Sequence, residues 1–212
     1  MERSLEDDAL AIRDVDDAAS WDRAIEAAQP ARMLALIDAN LDHSLRAHAT
    51  AEDIWQETLL LAWRRRAGFR WQGLAPFRRW LLEIALHCTA DARSHWRTLK
   101  RGDGRVQPIE FEREGLQHSA EPPIFGSTTP SRVAQLREQA SVMRMALEAL
   151  DDDVREIVKL RVFGELSCDE VAARLGLGVS AVKHRARRGT LEYERRLRTL
   201  LGSGDGGRGP RA

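Results

Sequence analysis

The chain has 212 residues, 43% hydrophobic and 31% charged, and its 33 basic and 33 acidic side chains balance to zero formal charge. That length suffices for one ordinary domain or two small ones, each with its own core and no metal or disulfide staple. No apolar run nears the roughly 18–20 residues that would span a bilayer, and the acidic start MERSLEDDALAIRDVDDAAS lacks the basic and apolar blocks of a signal peptide, so a cytoplasmic protein without membrane insertion is expected. Cys88 and Cys168 lie far apart in no ligand spacing, which predicts free thiols and no metal or cofactor site.

The neutral total hides a sorted charge. Residues 1–30 carry nine acids against Arg3, Arg13 and Arg23, whereas Arg64 to Arg105 is strongly basic and a second basic cluster surrounds Lys183 to Arg188. Two basic patches on separate segments suit a protein that touches DNA at two places. Apolar residues recur at threes and fours with no β-branched alternation, so the expected fold class is all-α. The chain divides into an acidic extension expected to be disordered (1–20), an N-terminal helical domain (21–101), a Gly- and Pro-rich flexible linker (102–130), a C-terminal helical domain (131–201) and a disordered tail (202–212).

In the N-terminal domain Thr50 can cap a helix on which Asp53, Gln56 and Glu57 share one face and Ile54, Thr58 and Leu61 another. No His, Lys or metal-ligand set accompanies the carboxylates, so general acid/base catalysis is discounted. Docking onto a basic protein surface and a plain solvated face both remain open. The following stretch, FRWQGLAPFRRWLLEIALHCTADARSHWRTLKR, interleaves aromatics with arginines, the usual platform for unstacked bases, and its WQGLAP loop can wrap a flipped base. Trp80, Leu81, Ile84 and Ala85 read as core, while Phe69, Trp71 and Phe77 border the loop and stay ambiguous. Farther on, Asp91, Ser94 and Arg97 share a helix face beside Arg93, and Trp96 is either a wedge or a buried anchor.

In the C-terminal domain Met145, Leu147, Leu150, Val154, Ile157, Val158, Leu160 and Phe163 are core candidates, and Arg155 and Arg161 flank them as surface or phosphate-contacting residues. Ser167-Cys168-Asp169-Glu170 fits a capping box, and Gly176 stands where a helix ends in a left-handed residue. The next helix has apolar positions Val182, Ala186, Gly189, Tyr193, Leu197 and Leu200 at steps of four, three, four, four and three, facing inward, with Ser180, Lys183, His184, Arg187 and Arg188 outward. This is a helix-turn-helix pattern, in which Val179, Ser180 and Lys183 would meet base edges and Arg187 and Arg188 phosphates. Gly189 inside that helix is expected to soften it by up to about 1 kcal/mol relative to Ala.

Taken in order, the AED-x-x-QE helix, the F-x-x-W-L with a following D-x-x-R and basic run, the TPS opening, L-x-x-x-x-R-E-I-V-x-L-R, and LS-x-x-E-V-A-x-x-L-G with V-K-x-R resemble bacterial sigma factors of the sigma-70 superfamily, in the two-domain extracytoplasmic-function group. The resemblance covers roughly residues 32–101 and 129–200. It implies a transcription initiation factor without enzymatic activity. Asp53, Gln56 and Glu57 would bind the clamp helices of the polymerase β′ subunit. Arg70, Trp71, Gln72, Asp91, Arg93, Ser94, Trp96 and Arg97 would open and capture the minus-ten promoter element. The linker would thread toward the RNA exit path, and Val179, Ser180, Lys183, His184, Arg187 and Arg188 would read the minus-thirty-five element. Core RNA polymerase, including its β flap, and promoter DNA are the implied partners, and the family often answers to an anti-sigma protein. The rival readings are a stand-alone helix-turn-helix regulator that binds operators as a dimer, and an enzyme acting on nucleic acid, for which no metal cluster or nucleophile is visible. Asp151, where many members carry Pro, and the acidic start with Trp21 depart from the family pattern.

Overall fold

A computed structural model of the chain describes residues 12, 14–100 and 129–203. Most of the acidic extension, nearly all of the linker and the end of the tail therefore lie outside the described residues. Every regular element among those described is helical: α1 (Ala18–Ala27), α2 (Pro30–Asn40), α3 (His43–Arg46), α4 (Ala51–Arg65) with a closing 3₁₀ turn Arg66–Gly68, α5 (Leu74–Lys100), α6 (Pro130–Glu148), α7 (Asp152–Val158) running into a π-helical turn Lys159–Phe163, α8 (Cys168–Leu175) and α9 (Val179–Ser203).

The inner end of the acidic extension corrects the expectation of disorder up to residue 20. Asp17 accepts hydrogen bonds from the Ala19 and Ser20 amides at 3.0 Å each, which starts α1 as an N-cap should. Ile12 and Val15 are buried, and Trp21 is fully buried. Trp21 meets Trp63, Phe77 and Trp80 edge-on, at 5.5, 5.9 and 6.4 Å between centroids, the geometry that aromatic quadrupoles favour. The departure from the family pattern at Trp21 is therefore a core element. All six tryptophans of the chain fall between residues 21 and 96, and Trp55 joins Trp21 and Trp63 among the buried ones.

α4 and α5 pack as a pair, with α2 across both. Ile54, Thr58 and Leu61 are buried as the helical period requires, and the Thr58 hydroxyl is satisfied by donating to the Ile54 carbonyl at 2.7 Å. Leu81, Ile84 and Ala85 are buried and Trp80 half-buried; Phe77 is fully buried, which settles that residue as core. Cys88 is a free buried thiol whose pKa burial pushes up to about 11, and Cys168 is also free.

The C-terminal helices are not separate from this core. α6 lies along α2, and one continuous apolar cluster runs from Trp21 and Leu34 through Phe77 and Leu81 to Leu147, Phe163 and Tyr193. Of the core candidates at 145–163, Met145 alone is exposed, because the inward face of α6 passes through Ala140, Ala146 and Leu147 and leaves position 145 pointing outward. Arg155 donates to the carbonyls of Leu147, Glu148 and Leu150 at the end of α6, and Arg161 to that of Leu166. Arg155 therefore finishes the end of α6, where carbonyls lack intrahelical donors, and Arg161 braces the connection into α8.

Candidate nucleic-acid and polymerase interfaces

The helix-turn-helix is built by local rules. The Glu170 amide donates to Ser167 Oγ at 3.2 Å, and the Ser167 amide to the Glu170 carboxylate at 2.6 Å, the reciprocal capping box that starts α8. Gly176 closes the helix at φ 64°, and its amide and that of Leu177 both donate to the Ala172 carbonyl, so a left-handed residue terminates α8 and turns the chain into α9. Val171, Ala172, Val182 and Ala186 are buried with Ile157 and Leu160 in a small second core. That core fixes α9 so that Ser180, Lys183, His184, Arg187 and Arg188 are all exposed on its outer side, with Val179 half-buried at its first turn. Donors at the start of a helix and cations one turn later form a face that a major groove receives.

At Gly189 the structure changes the reading. A Cβ there would sit 2.4 Å from Val154 Cγ1 and 2.7 Å from Val158 Cγ2. α9 crosses α7 at this point, and glycine permits the close approach.

On the N-terminal side the 3₁₀ turn and residues Phe69–Gly73 form a loop before α5. Phe69 stacks on Trp80 at 4.7 Å and meets Phe77 and Trp71 at 5.5 and 6.4 Å. Gly73 takes φ 102°, a conformation side chains rarely adopt, and this turns the loop into the helix. Upon that aromatic base Arg70 and Gln72 are exposed and Trp71 is half-buried. On α5, Arg93 donates to the Asp42 carboxylate and the Asn40 carbonyl at 3.0 Å each. Trp96 stacks on His48 at 3.8 Å, and Asp91 lies 3.2 Å from His87. Ser94 and Arg97 are exposed on the same stretch.

The docking trio is split by the structure. Asp53 is exposed, yet its carboxylate accepts from the Thr50 amide at 2.9 Å and the Thr50 hydroxyl at 2.7 Å, and the amide bond foremost holds its pKa below the ordinary carboxylate value. Asp53 therefore closes the capping box of α4 as well as lying on the expected face. Gln56 is exposed and Glu57 half-buried on the next turn. Asp22, Glu26, Glu52, Asp53 and Gln56 rim a cavity of about 330 Å³ whose floor includes Ile25, Leu34, Trp55 and Leu59.

Comparison with known proteins bears on these two faces together. The family described as sigma-70, region 4 matches residues 141–190, from the second half of α6 through α8 into the first half of α9. RNA polymerase sigma factor YlaC of Bacillus subtilis (strain 168) is 30% identical over 149 residues, which cover 70% of this chain and 78% of that protein. RNA polymerase sigma factor CarQ of Myxococcus xanthus is 31% identical over 165 residues, 76% of this chain and 80% of that protein. The chain belongs to the sigma-70 family, extracytoplasmic-function group. This sigma factor is accordingly a transcription initiation factor, and the operator-binding dimer is not favoured.

Of the expected DNA contacts on this sigma factor, Arg93 and Trp96 already serve as anchors between α5 and the segment at 40–48, through Asp42, Asn40 and His48. Arg70, Trp71 and Gln72 come together on one loop, and the six residues of α9 on one helix. Sequence reasoning missed Arg32, which packs with Arg78 on Glu165 between the two modules; partners so far apart in the chain leave no local signal. Among the described residues no group of three His, Cys, Asp or Glu side chains could hold a metal ion, and no helix is long and apolar enough to cross a membrane.

Proposed function

We propose that this sigma factor binds core RNA polymerase and gives it promoter specificity, as a cytoplasmic protein with no enzymatic activity of its own and with two DNA-contacting modules, residues 21–101 and 131–201, joined by the segment between them. The observation that carries the reading is the pairing, in one chain, of an outward cationic helix after a capped turn with an aromatic-backed loop presenting Arg70, Trp71 and Gln72. The first suits duplex readout of the minus-thirty-five element by Val179, Ser180 and Lys183, with His184, Arg187 and Arg188 on the flanking backbone. The second suits capture of an unstacked base of the minus-ten element, where a base on an aromatic face gains about 1–3 kcal/mol. Arg97, Ser94 and Asp91 extend that contact along α5, while Arg93 and Trp96 hold the helix against the segment at 40–48.

Gln56, Glu57 and the outer side of Asp53 dock the clamp helices of the β′ subunit, since a carboxylate face pairs with basic helices through charge-assisted hydrogen bonds. The C-terminal module would meet the β flap, and an anti-sigma protein would act by covering either face. Size-exclusion co-elution with core RNA polymerase, followed by transcription from a pool of genomic promoter fragments, tests the reading. Co-elution and new sequence-selective transcripts are expected. Glu57→Lys is expected to weaken co-elution with the thermal midpoint unchanged, whereas Asp53→Ala should lower the midpoint as well, since losing a cap costs about 1 kcal/mol. Wild-type binding to duplex DNA with no affinity for polymerase would overturn it.

A further inference from the structure

The cavity beside the docking helix is built like a ligand site. It lies where α1, α2 and α4 meet the first turns of α6 and encloses about 330 Å³, with Ile25, Leu34, Trp55 and Leu59 on its floor and Val133 and Leu136 as its roof. The four floor residues are buried. Protein interiors hold few voids larger than a water molecule, because atoms lining a void lose their dispersion partners. Water fills this one poorly: about ten molecules would fit at about 30 Å³ each, but an apolar wall offers them no hydrogen bonds. The volume falls at the lower end of the range for small-molecule sites, which are apolar with a few convergent polar groups.

The charged groups at the rim favour one sign. Asp22, Glu26, Glu52 and Asp53 all border the cavity, against Arg137 among the described lining residues. Three of these carboxylates are already satisfied: Glu26 pairs with Arg132 and Glu52 with Arg137, each at 2.6 Å, and Asp53 is held by Thr50. Asp22 differs. It is half-buried and has neither hydrogen bond nor ion pair among the described residues. Desolvation first, and then the charge of Glu26 one turn along α1, raise its pKa, and a cation placed beside it would offset both. The complementary ligand is a positive charge on an apolar body. An anion would be repelled, a sugar would bring hydroxyls for which the floor has no partner, and among the described residues no group of three ligating side chains could hold a bare metal ion.

We propose that this cavity binds a small aromatic or aliphatic amine, its apolar body among Trp55, Leu59 and Leu136 and its ammonium on the Asp22 carboxylate, and that the bound amine competes with core RNA polymerase for the adjoining docking face. Asp53 and Gln56 border the same cavity, so amine and polymerase share them. The competition rests on the polymerase-binding reading above, whereas the binding of the amine does not.

Isothermal titration calorimetry of the full chain at about pH 7, where the amine is protonated, tests the site with phenethylamine, phenethyl alcohol and phenylacetate, probes of similar size and different charge. The amine should bind with a Kd of about 0.1–1 mM, as suits a ligand of so few atoms. The alcohol should bind about tenfold more weakly for want of a charge-assisted hydrogen bond, and the acid not at all. Asp22→Asn should bring the amine down to the level of the alcohol, and Val133→Trp, which fills the cavity, should abolish binding of both. Thermal midpoints near that of the wild type show that the fold is kept. Asp22→Asn alters no apolar contact, so it decides the matter should Val133→Trp fail to fold. No binding of the amine, equal binding of amine and alcohol, or an amine affinity unchanged in Asp22→Asn overturns the site.

With phenethylamine at about ten times its Kd, the apparent Kd for core RNA polymerase should rise about tenfold. Asp22→Asn should bind polymerase as the wild type does and lose that response. Polymerase binding that a saturating amine leaves untouched overturns the competition alone. Failure to bind polymerase with or without the amine overturns the polymerase reading and the competition with it, while the calorimetry still decides the site.

Discussion

Substituting Gly189 by Ala sets two rules against each other. Helix propensity alone favours Ala over Gly by about 1 kcal/mol in a helix interior, and Gly189 lies well inside α9. The crossing with α7 opposes it, because the added methyl carbon would lie 2.4 Å from Val154 Cγ1 and 2.7 Å from Val158 Cγ2, where carbon atoms require about 3.5–4.0 Å. Both valines are buried and β-branched, with one strongly preferred rotamer in a helix, so the methyls cannot swing away and α9 must lift by about 1 Å. Overpacking of this kind costs about 1–3 kcal/mol, and with the propensity gain of about 1 kcal/mol subtracted a net loss of up to about 2 kcal/mol is expected. For a chain of this size that is a fall of up to about 8 °C in Tm. Thermal denaturation followed by circular dichroism measures it, with Gly202→Ala as the control: Gly202 lies in the same helix, a methyl added there would meet nothing within 4 Å, and the midpoint should hold or rise slightly. A rise in Tm for Gly189→Ala would refute the close crossing, and Val154→Ala combined with Gly189→Ala should recover part of the loss if it is real.

Three further outcomes are expected. Lys183→Ala should weaken transcription from the cognate upstream element by about 1–3 kcal/mol if Lys183 reads a base; equal loss on every promoter sequence would assign it to phosphate instead. Gln72→Ala, at an exposed position, should impair promoter opening, read by permanganate reactivity of unpaired thymines, more than duplex binding, and unaltered reactivity would count against a base-capturing loop. Hydrogen bonds from backbone and side chains hold the Asp17, Asp42 and Asp53 carboxyls below their ordinary pKa. A carboxyl depressed in the folded state stabilises it above the unfolded pKa and loses that contribution as pH falls through the folded one. Stability should therefore hold from pH 7 to about 5 and decline below about pH 4; a loss beginning near pH 6 would point to histidines instead.

The features legible in the sequence are those encoded by neighbours. Ser167 with Glu170, Gly176, and the stripe from Val182 to Tyr193 each depend on spacings of three or four, and the structure has the capping box, the left-handed turn and the buried face at those residues. The exposure of Ser180, Lys183 and His184 follows from the same period. What the period could not show is the partner across space. Arg78 and Glu165 are 87 positions apart, and Arg93 meets Asp42 across 51, so their roles as ties rather than solvated cations depend on how helices cross. Gly189 is of the same kind, since its cost as a helix residue is local and its use at the crossing is not. Asp53 shows two demands on one side chain, because the carboxylate that lies on the docking face also finishes the cap begun by Thr50. Trp21 follows directly on the acidic stretch 1–20 expected to be disordered, and its ring supplies the apolar area that holds α1, which begins inside that stretch, against the core.

The placement of the tryptophans gives the molecule its own optical division of labour. With all six between residues 21 and 96 and Tyr193 the lone tyrosine, indole emission excited at the red edge reports on the loop-bearing half and is silent for the reading helix. Circular dichroism at 222 nm sees both halves. Denaturation curves from the two signals should coincide while the halves unfold as one cooperative body and part company once they do not, so an unlabelled sample can reveal whether the halves are energetically coupled.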